Sequence, residues 1–67
     1  MELSARNQLC GTVKNVRSGD VMAEVVVDVG GQELVAAITR ASVERMKIRP
    51  GDAVVAIVKS TSIIIGK

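Results

Sequence analysis

A chain of 67 residues has room for one small domain, whose core is marginal because a domain of this size buries only about 60% of the surface that its unfolded chain exposes. Although 48% of the residues are apolar, none is aromatic, and the apolar residues are mostly the β-branched valine and isoleucine that favour an all-β fold. The net charge is +2, and the charged residues are spread along the chain. This argues against a disordered basic arm, a polybasic membrane patch and a positive field strong enough to attract nucleic acid.

The pattern of the first half of the chain predicts three strands. The first covers Gln8–Arg17, where a change of hydrophobic phase suggests a β-bulge near Asn15. The second, Val21–Val29, alternates most clearly, with valine and alanine on one face. Gly30–Gly31 is typical of a two-residue hairpin turn, because such turns need positive φ angles, and the third strand follows over Gln32–Thr39.

A short helix and a turn are expected next. Thr39 has the character of a helix N-cap, whose hydroxyl accepts a hydrogen bond from a free N–H group of the first turn. The helix is predicted over Arg40–Met46, with Val43 and Met46 facing the core. Pro50–Asp52 places proline and glycine where a type II turn needs them.

The C-terminal residues predict two more strands, Ala53–Lys59 and Ser62–Ile65. Five short strands, with one short helical turn between the third and the fourth, indicate a small OB-like barrel in a single domain over residues 1–67. Three segments are nevertheless apolar on both faces: Leu34–Ile38, Val54–Val58 and Ile63–Ile65. Because so small a barrel has one interior, the outer apolar faces need another cover, and oligomerisation is the simplest one.

Nothing in the sequence predicts export or membrane insertion. Met1–Gln8 lacks the apolar stretch of a signal peptide, and the longest apolar run, Ala53–Val58, is too short to span a bilayer. The single cysteine, Cys10, can form no internal disulfide. A cytoplasmic location is therefore the default expectation.

Groups of residues typical of enzymes are missing. Without histidine, the chain lacks the commonest general base and metal ligand, and Cys10 has no imidazole to activate it. The acidic residues show no paired spacing, and the glycines match no phosphate-binding motif. The sequence therefore predicts a binding protein without catalytic activity and without a metal-ion site.

An OB-like barrel raises single-stranded nucleic acid as an alternative ligand. Proteins that bind it stack the bases on aromatic side chains and follow the backbone with a basic groove. The absence of aromatic residues and the small net charge argue against this alternative. A domain that serves only for oligomerisation is a third possibility.

Hydrogen-bond donors are concentrated in three places. They lie before the first strand, at the start of the predicted helix, and before the last strand: Ser4, Arg6, Asn7 and Gln8; Thr39 and Ser42; Lys59, Ser60, Thr61 and Ser62. Charged N–H donors, hydroxyls and a helix N-terminus would together suit a tetrahedral oxyanion. From spacing alone the simpler interpretation is favoured, in which the hydroxyls cap turns and the cations face solvent.

The block Ser4–Leu9, which reads SARNQL, resembles the signature of the molbindin family, the stand-alone Mop domains that bind molybdate. The similarity continues with Gly11, Val13, Gly19–Val25, Ala37–Thr39, Ser42, Gly51, Val54, Ala56 and Lys59–Thr61. It covers nearly the whole chain without gaps, and the SARNQL block is its most specific part. The departures are Met46, Ile48 and Cys10, none of which touches an expected ligand.

The resemblance implies an OB-like barrel assembled as a hexamer, a trimer of dimers, with oxyanion sites at the subunit interfaces. It implies molybdate or tungstate as the bound ligand and intracellular storage of molybdenum as the role, since the chain has no room for a regulatory or ATPase domain. Carried over residue by residue, the site draws on Ser4, Arg6, Thr39, Ser42, Lys59 and Ser60. A second kind of site near a symmetry axis is also implied, with no residues assigned to it.

Overall fold

The order and the bounds of the elements follow the sequence pattern closely. The structure, a computed structural model, describes residues 1–67. Its elements are β1 (Asn7–Ser18), β2 (Met22–Val29), β3 (Gln32–Thr39), α1 (Arg40–Met46), β4 (Ala53–Val58) and a 3-10 helix (Ser60–Ser62). The four strands and α1 agree with their predicted bounds to within one residue at each end. With seven residues, α1 is far too short to cross a membrane, and it is the longest helix of the structure.

One antiparallel sheet contains all four strands, in the order β3-β2-β1-β4. The long strand β1 pairs with two strands: Asn7–Thr12 pairs with β4, and Thr12–Ser18 pairs with β2. The register between β1 and β2 shifts between Val13 and Asn15, which confirms the predicted β-bulge. A bulge bends its strand, and here it lies just beyond the point where β1 changes partner.

The turns and the helix start have the residues that their backbone conformations require. Gly30–Gly31 joins β2 to β3 with φ angles of 59° and 87°, so the predicted two-residue hairpin is confirmed. The N-cap is confirmed as well, because the Thr39 hydroxyl accepts a hydrogen bond from the backbone N–H of Ser42 at 3.1 Å. Before β4, the N–H of Asp52 donates to the Arg49 carbonyl at 3.1 Å and closes the predicted turn.

The core is very small. Only five of the 67 residues are buried, all of them apolar, where β1, β2 and α1 meet: Val13, Ala23, Val25, Val27 and Val43. Met46 is 62% exposed, so the prediction that it faces the core is wrong for the single chain. It lies one turn after Val43, at the edge of a cleft that no part of the chain covers.

The single chain forms neither the predicted fifth strand nor a closed barrel. The sheet ends at β3 on one side and at β4 on the other, and no strand pairs with these outer edges. Ile63 has extended backbone angles, but Ile63–Ile65 belongs to no strand, and Ile64 and Ile65 are 93% and 86% exposed. Five strands is therefore wrong for the single chain. An apolar pattern marks residues that avoid water, whereas a strand also needs a neighbouring edge to bond to.

Gly11 lies in β1 where the backbone of β2 comes very close. A Cβ atom at this position would lie 2.6 Å from the carbonyl oxygen of Asp28 and 2.6 Å from a methyl carbon of Val27. Because backbone within a sheet cannot move away easily, we expect Gly11→Ala to lower the free energy of unfolding by about 1–3 kcal/mol. Denaturant unfolding checks this, with Gly66→Ala as a control that should be neutral because nothing lies near its Cβ. Equal stability of Gly11→Ala and the parent would contradict the close approach.

Candidate functional site

The pairing of β1 with β4 brings four of the six predicted site residues to one end of the sheet. Asn7 lies opposite Val58 in this ladder. Arg6 precedes Asn7 and Lys59 follows Val58, so the two cations leave neighbouring strands at the same end. The four exposed residues here are called the Arg6–Lys59 group: Ser4, Arg6, Lys59 and Ser60.

Both cations of the Arg6–Lys59 group lack an acidic partner. The two ion pairs of the chain form elsewhere, between Lys14 and Glu33 and between Arg40 and Glu44. The Glu33 carboxylate raises the pKa of Lys14 by accepting a hydrogen bond from it and by its negative charge. By contrast, the positive charge of the Arg6–Lys59 group is not compensated within the chain, and it favours an anion there.

Residues 1–6 are attached to the sheet through a single residue. They form no helix or strand, and the only hydrogen bonds that involve them are two that Gln8 donates. The backbone N–H of Gln8 donates to the carbonyl of Arg6 at 3.2 Å, and its side-chain Nε2 donates to the carbonyl of Ala5 at 2.7 Å. The Gln8 amide, which the sequence suggested as a donor for a ligand, is therefore engaged within the chain.

The remaining two predicted site residues lie at the opposite end of β1. Its last residue, Ser18, pairs with β2, and at that same end of the sheet β2 pairs through Met22 with Thr39 of β3. The 12 residues of β1, in a molecule whose longest dimension is 35 Å, therefore separate Thr39 and Ser42 from the Arg6–Lys59 group. Thr39 and Ser42 are called the helix-start pair. A single chain does not bring all six predicted residues together.

The helix-start pair is already linked by two hydrogen bonds. Thr39 Oγ1 accepts from the backbone N–H of Ser42 at 3.1 Å and donates to Ser42 Oγ at 2.7 Å. The Ser42 hydroxyl thus accepts from Thr39, which leaves its own hydrogen free to donate to another group. Both side chains are exposed or partly exposed, so a group outside the chain can reach them.

An apolar cleft lies between the two open edges of the sheet. It has a volume of about 570 Å³ and is lined by 14 hydrophobic residues, chiefly Leu34–Ile38 of β3 and Val54–Val58 of β4. None of the six predicted site residues lines it. Without a single polar side chain in its lining, the cleft offers nothing to an oxyanion and suits an apolar partner. The chain also contains no cluster of three or more histidine, cysteine, aspartate or glutamate side chains that could hold a metal ion.

Comparison with known proteins gives one consistent family. The model of the TOBE domain matches residues 3–65. Molybdenum-pterin-binding protein 2 of Clostridium pasteurianum is 42% identical over 66 residues, which make up 97% of this chain and 97% of that protein. A solved molybdate-binding protein from Sporomusa ovata is 49% identical, with a TM-score of 0.95 over the whole of both chains. ModG, described as a cytoplasmic molybdate-binding protein and solved with molybdate bound, is 39% identical, with a TM-score of 0.85 over 90% of this chain and 43% of its own.

These matches span the whole candidate site. All six predicted site residues lie within the part of the chain that the family model covers. The matches to the Clostridium and Sporomusa proteins also run nearly end to end in both partners, so the similarity is not confined to one motif. The molbindin resemblance of Ser4–Leu9 is thereby confirmed, and the chain belongs to the TOBE-domain family.

Proposed function

We propose that the chain binds molybdate, and also tungstate, as a free oxyanion, and that it stores molybdenum inside the cell at sites between the subunits of an oligomer. The observation that carries this proposal is the Arg6–Lys59 group, in which two cations without acidic partners and two serines share one end of the sheet. The relatives support the choice of ligand, since one solved relative is described as a molybdate-binding protein and another holds molybdate.

The two cations of the site have different tasks. The guanidinium of Arg6 is a planar fork that can donate two parallel hydrogen bonds and so orient an oxyanion. The ammonium of Lys59 is a compact charge on a flexible stem, which adds attraction with less control of orientation. The hydroxyls of Ser4 and Ser60 can donate to oxygens that the cations do not reach.

A complete site, as we propose it, takes residues from two subunits. The helix-start pair lies at the other end of β1 from the Arg6–Lys59 group, so it cannot join that group within one chain. Placed against the Arg6–Lys59 group of a neighbouring subunit, Ser42 would direct its free hydroxyl hydrogen at the anion. Binding would then depend on assembly.

The oligomer that we propose is a hexamer built as a trimer of dimers. A core of five buried residues is small for an independent domain, and the apolar cleft is open to water in the single chain. As its cover we propose Ile63–Ile65 of a second copy, a segment that is apolar, exposed and unpaired in its own chain. Each isoleucine that becomes fully buried would contribute about 1.5–3 kcal/mol, and the unpaired outer edges of β3 and β4 offer backbone hydrogen bonds.

The proposed ligand is the oxyanion alone and not a molybdenum–pterin compound, although the Clostridium relative is named for pterin binding. A pterin ring is flat and polar along one edge, so a protein that binds it has to stack against its face and pair its edge. This chain has no aromatic residue, and the apolar cleft would leave the polar edge unpaired. The same lack of aromatic side chains argues against single-stranded nucleic acid as the ligand.

Calorimetric titration with sodium molybdate tests the proposed function. We expect saturable binding by the oligomer, and molybdenum in the protein purified from cells grown with molybdate, measured by mass spectrometry. Storage further predicts that cells expressing the parent retain more molybdenum after transfer to molybdate-free medium than cells expressing Lys59→Ala. Neither heat of binding nor bound molybdenum in the parent would refute the proposal.

Selectivity against phosphate follows from the donors of the site. Phosphate carries at least one proton at neutral pH, and that proton needs an acceptor, whereas the proposed site contains no carboxylate. A serine hydroxyl could accept the proton, but its own hydrogen would then be directed away from the anion. An unpaired or mispaired group costs about 1–3 kcal/mol, so we expect phosphate to bind roughly 5- to 150-fold more weakly than molybdate.

Sulfate is the control for this prediction, because it is a bare dianion like molybdate and only its smaller size can exclude it. We therefore expect sulfate to be excluded less completely than phosphate. Calorimetry with molybdate, tungstate, sulfate and phosphate in one buffer measures the series. Phosphate binding as tightly as molybdate would show that the site accepts the phosphate proton at no cost, and would contradict the proposed basis of selectivity.

A further inference from the structure

The hydrogen bonds that attach residues 1–6 to the sheet suggest how the anion site is kept in place. This inference rests on the proposed function. Ser4 and Arg6 lie in a segment without regular structure, and both hydrogen bonds that this segment makes come from Gln8. The side-chain bond from Nε2 to the Ala5 carbonyl, at 2.7 Å, closes a loop of four residues, Ala5–Gln8, which is called the turn around Arg6. A segment held by so few bonds depends strongly on each of them.

Gln8 is itself held firmly in the sheet. It lies in β1 opposite Ile57 of β4, the strand that leads directly to Lys59. The Gln8 amide therefore connects the turn around Arg6 to the part of the sheet from which Lys59 emerges. Since β1 and β4 are bonded to each other along this stretch, a fixed turn means a fixed position of Arg6 relative to Lys59.

We propose that Gln8 is a positioning residue of the anion site, and that its side-chain amide orders the turn that holds Arg6 beside Lys59. Gln8 acts through the Ala5 carbonyl and not by donating to the anion. Without the amide, residues 1–6 are free to move in the empty protein, and the ligand has to order them on binding. The loss therefore appears as weaker affinity, although the two cations and the net charge are unchanged.

Gln8→Met tests this proposal, because methionine keeps the length of the side chain and removes the amide donor. We expect the molybdate affinity to fall roughly 3- to 10-fold, which corresponds to the net value of one hydrogen bond. The matched control is Gln32→Met, since Gln32 is also exposed at one end of a strand and its side chain makes no hydrogen bond. The control should bind molybdate like the parent.

Two further measurements separate a positioning role from a general effect on stability. In a double-mutant cycle, Gln8→Met should cost little affinity in an Arg6→Ala background, because the residue that it positions is gone. Backbone ¹⁵N relaxation of the empty protein should show faster motion of Ala5 and Arg6 in Gln8→Met than in the parent. Saturation with molybdate should restore much of the lost order.

The outcomes are distinct. Weaker binding that disappears in the Arg6→Ala background, together with increased mobility of Ala5 and Arg6, supports the proposal. Parent-like affinity of Gln8→Met, or an equal loss with and without Arg6, overturns it while leaving molybdate binding intact. A parent protein that does not bind molybdate refutes the proposed function, and the positioning role falls with it.

Discussion

Lys59→Ala is expected to weaken molybdate binding by roughly 10- to 100-fold, because a hydrogen bond from a charged donor to an anion is worth about 1.5–3 kcal/mol. Lys59 is not part of an ion pair, so no acidic residue within the chain competes for its charge. The oligomer should remain intact, since removing one of two clustered cations relieves repulsion in the empty site. Ser42→Ala should cost less, because water or a neighbouring hydroxyl can replace a neutral donor.

Molybdate titration of each variant, with size-exclusion chromatography of the same samples, measures both effects. Lys67→Ala is the matched control, because it removes the same charge from an exposed position outside all six site residues. It should change the affinity little, and added salt should reduce whatever long-range effect it has. If Lys59→Ala stays oligomeric and binds molybdate like the parent, the anion site has been assigned to the wrong residues.

Ile64→Asp is expected to dissociate the oligomer and leave a poorly folded or aggregating chain. In the single chain, Ile64 is 93% exposed, so an aspartate there would be harmless if the protein were a monomer. If Ile63–Ile65 covers the apolar cleft of a second copy, the same substitution buries an unpaired carboxylate against hydrophobic residues. The free energy needed to bury the carboxylate should then exceed the stabilisation that this contact provides. Molybdate binding should be lost with the oligomer.

Light scattering coupled to size exclusion at micromolar concentration reports the mass of each variant. Ile64→Leu keeps the apolar side chain and should remain assembled. Val21→Asp introduces the same charge at another exposed apolar residue, 71% exposed and outside the apolar cleft, and should also remain assembled. A folded, soluble monomer of the parent contradicts the proposed assembly. An Ile64→Asp variant that remains assembled is compatible with the proposed oligomer, but it contradicts the proposal that Ile63–Ile65 covers the apolar cleft.

Local patterns predicted most of the fold. Val25 and Val27 alternate with residues of the other face, and they are buried as that alternation indicates. The predicted turn at Gly30–Gly31 and the predicted N-cap at Thr39 each depend on only a few neighbouring residues. A positive φ angle and an unpaired N–H group are local requirements. These signals work because the interactions that they describe are complete within a few positions of the chain.

Predictions that needed a distant partner were less successful. Met46 and Ile63–Ile65 have apolar side chains that the sequence assigned to the core and to a fifth strand, and both are exposed in the single chain. Hydrophobicity indicates that a residue should be covered, but it does not indicate which surface covers it. For both segments, the cover that we propose belongs to another copy of the chain.

For the candidate site, the sequence by itself supplied the donors, but their spacing alone favoured turn-capping hydroxyls and cations that face solvent, and only the resemblance to the molbindins suggested an oxyanion. The same resemblance determined the family. Only the tertiary structure decided the arrangement. The register of β1 with β4 brings Arg6 and Lys59 to the same end of two neighbouring strands, and the order of the strands places Thr39 and Ser42 at the far end of β1. The physical reason is that strand register is fixed by hydrogen bonds between residues far apart in the chain, and no local pattern encodes them.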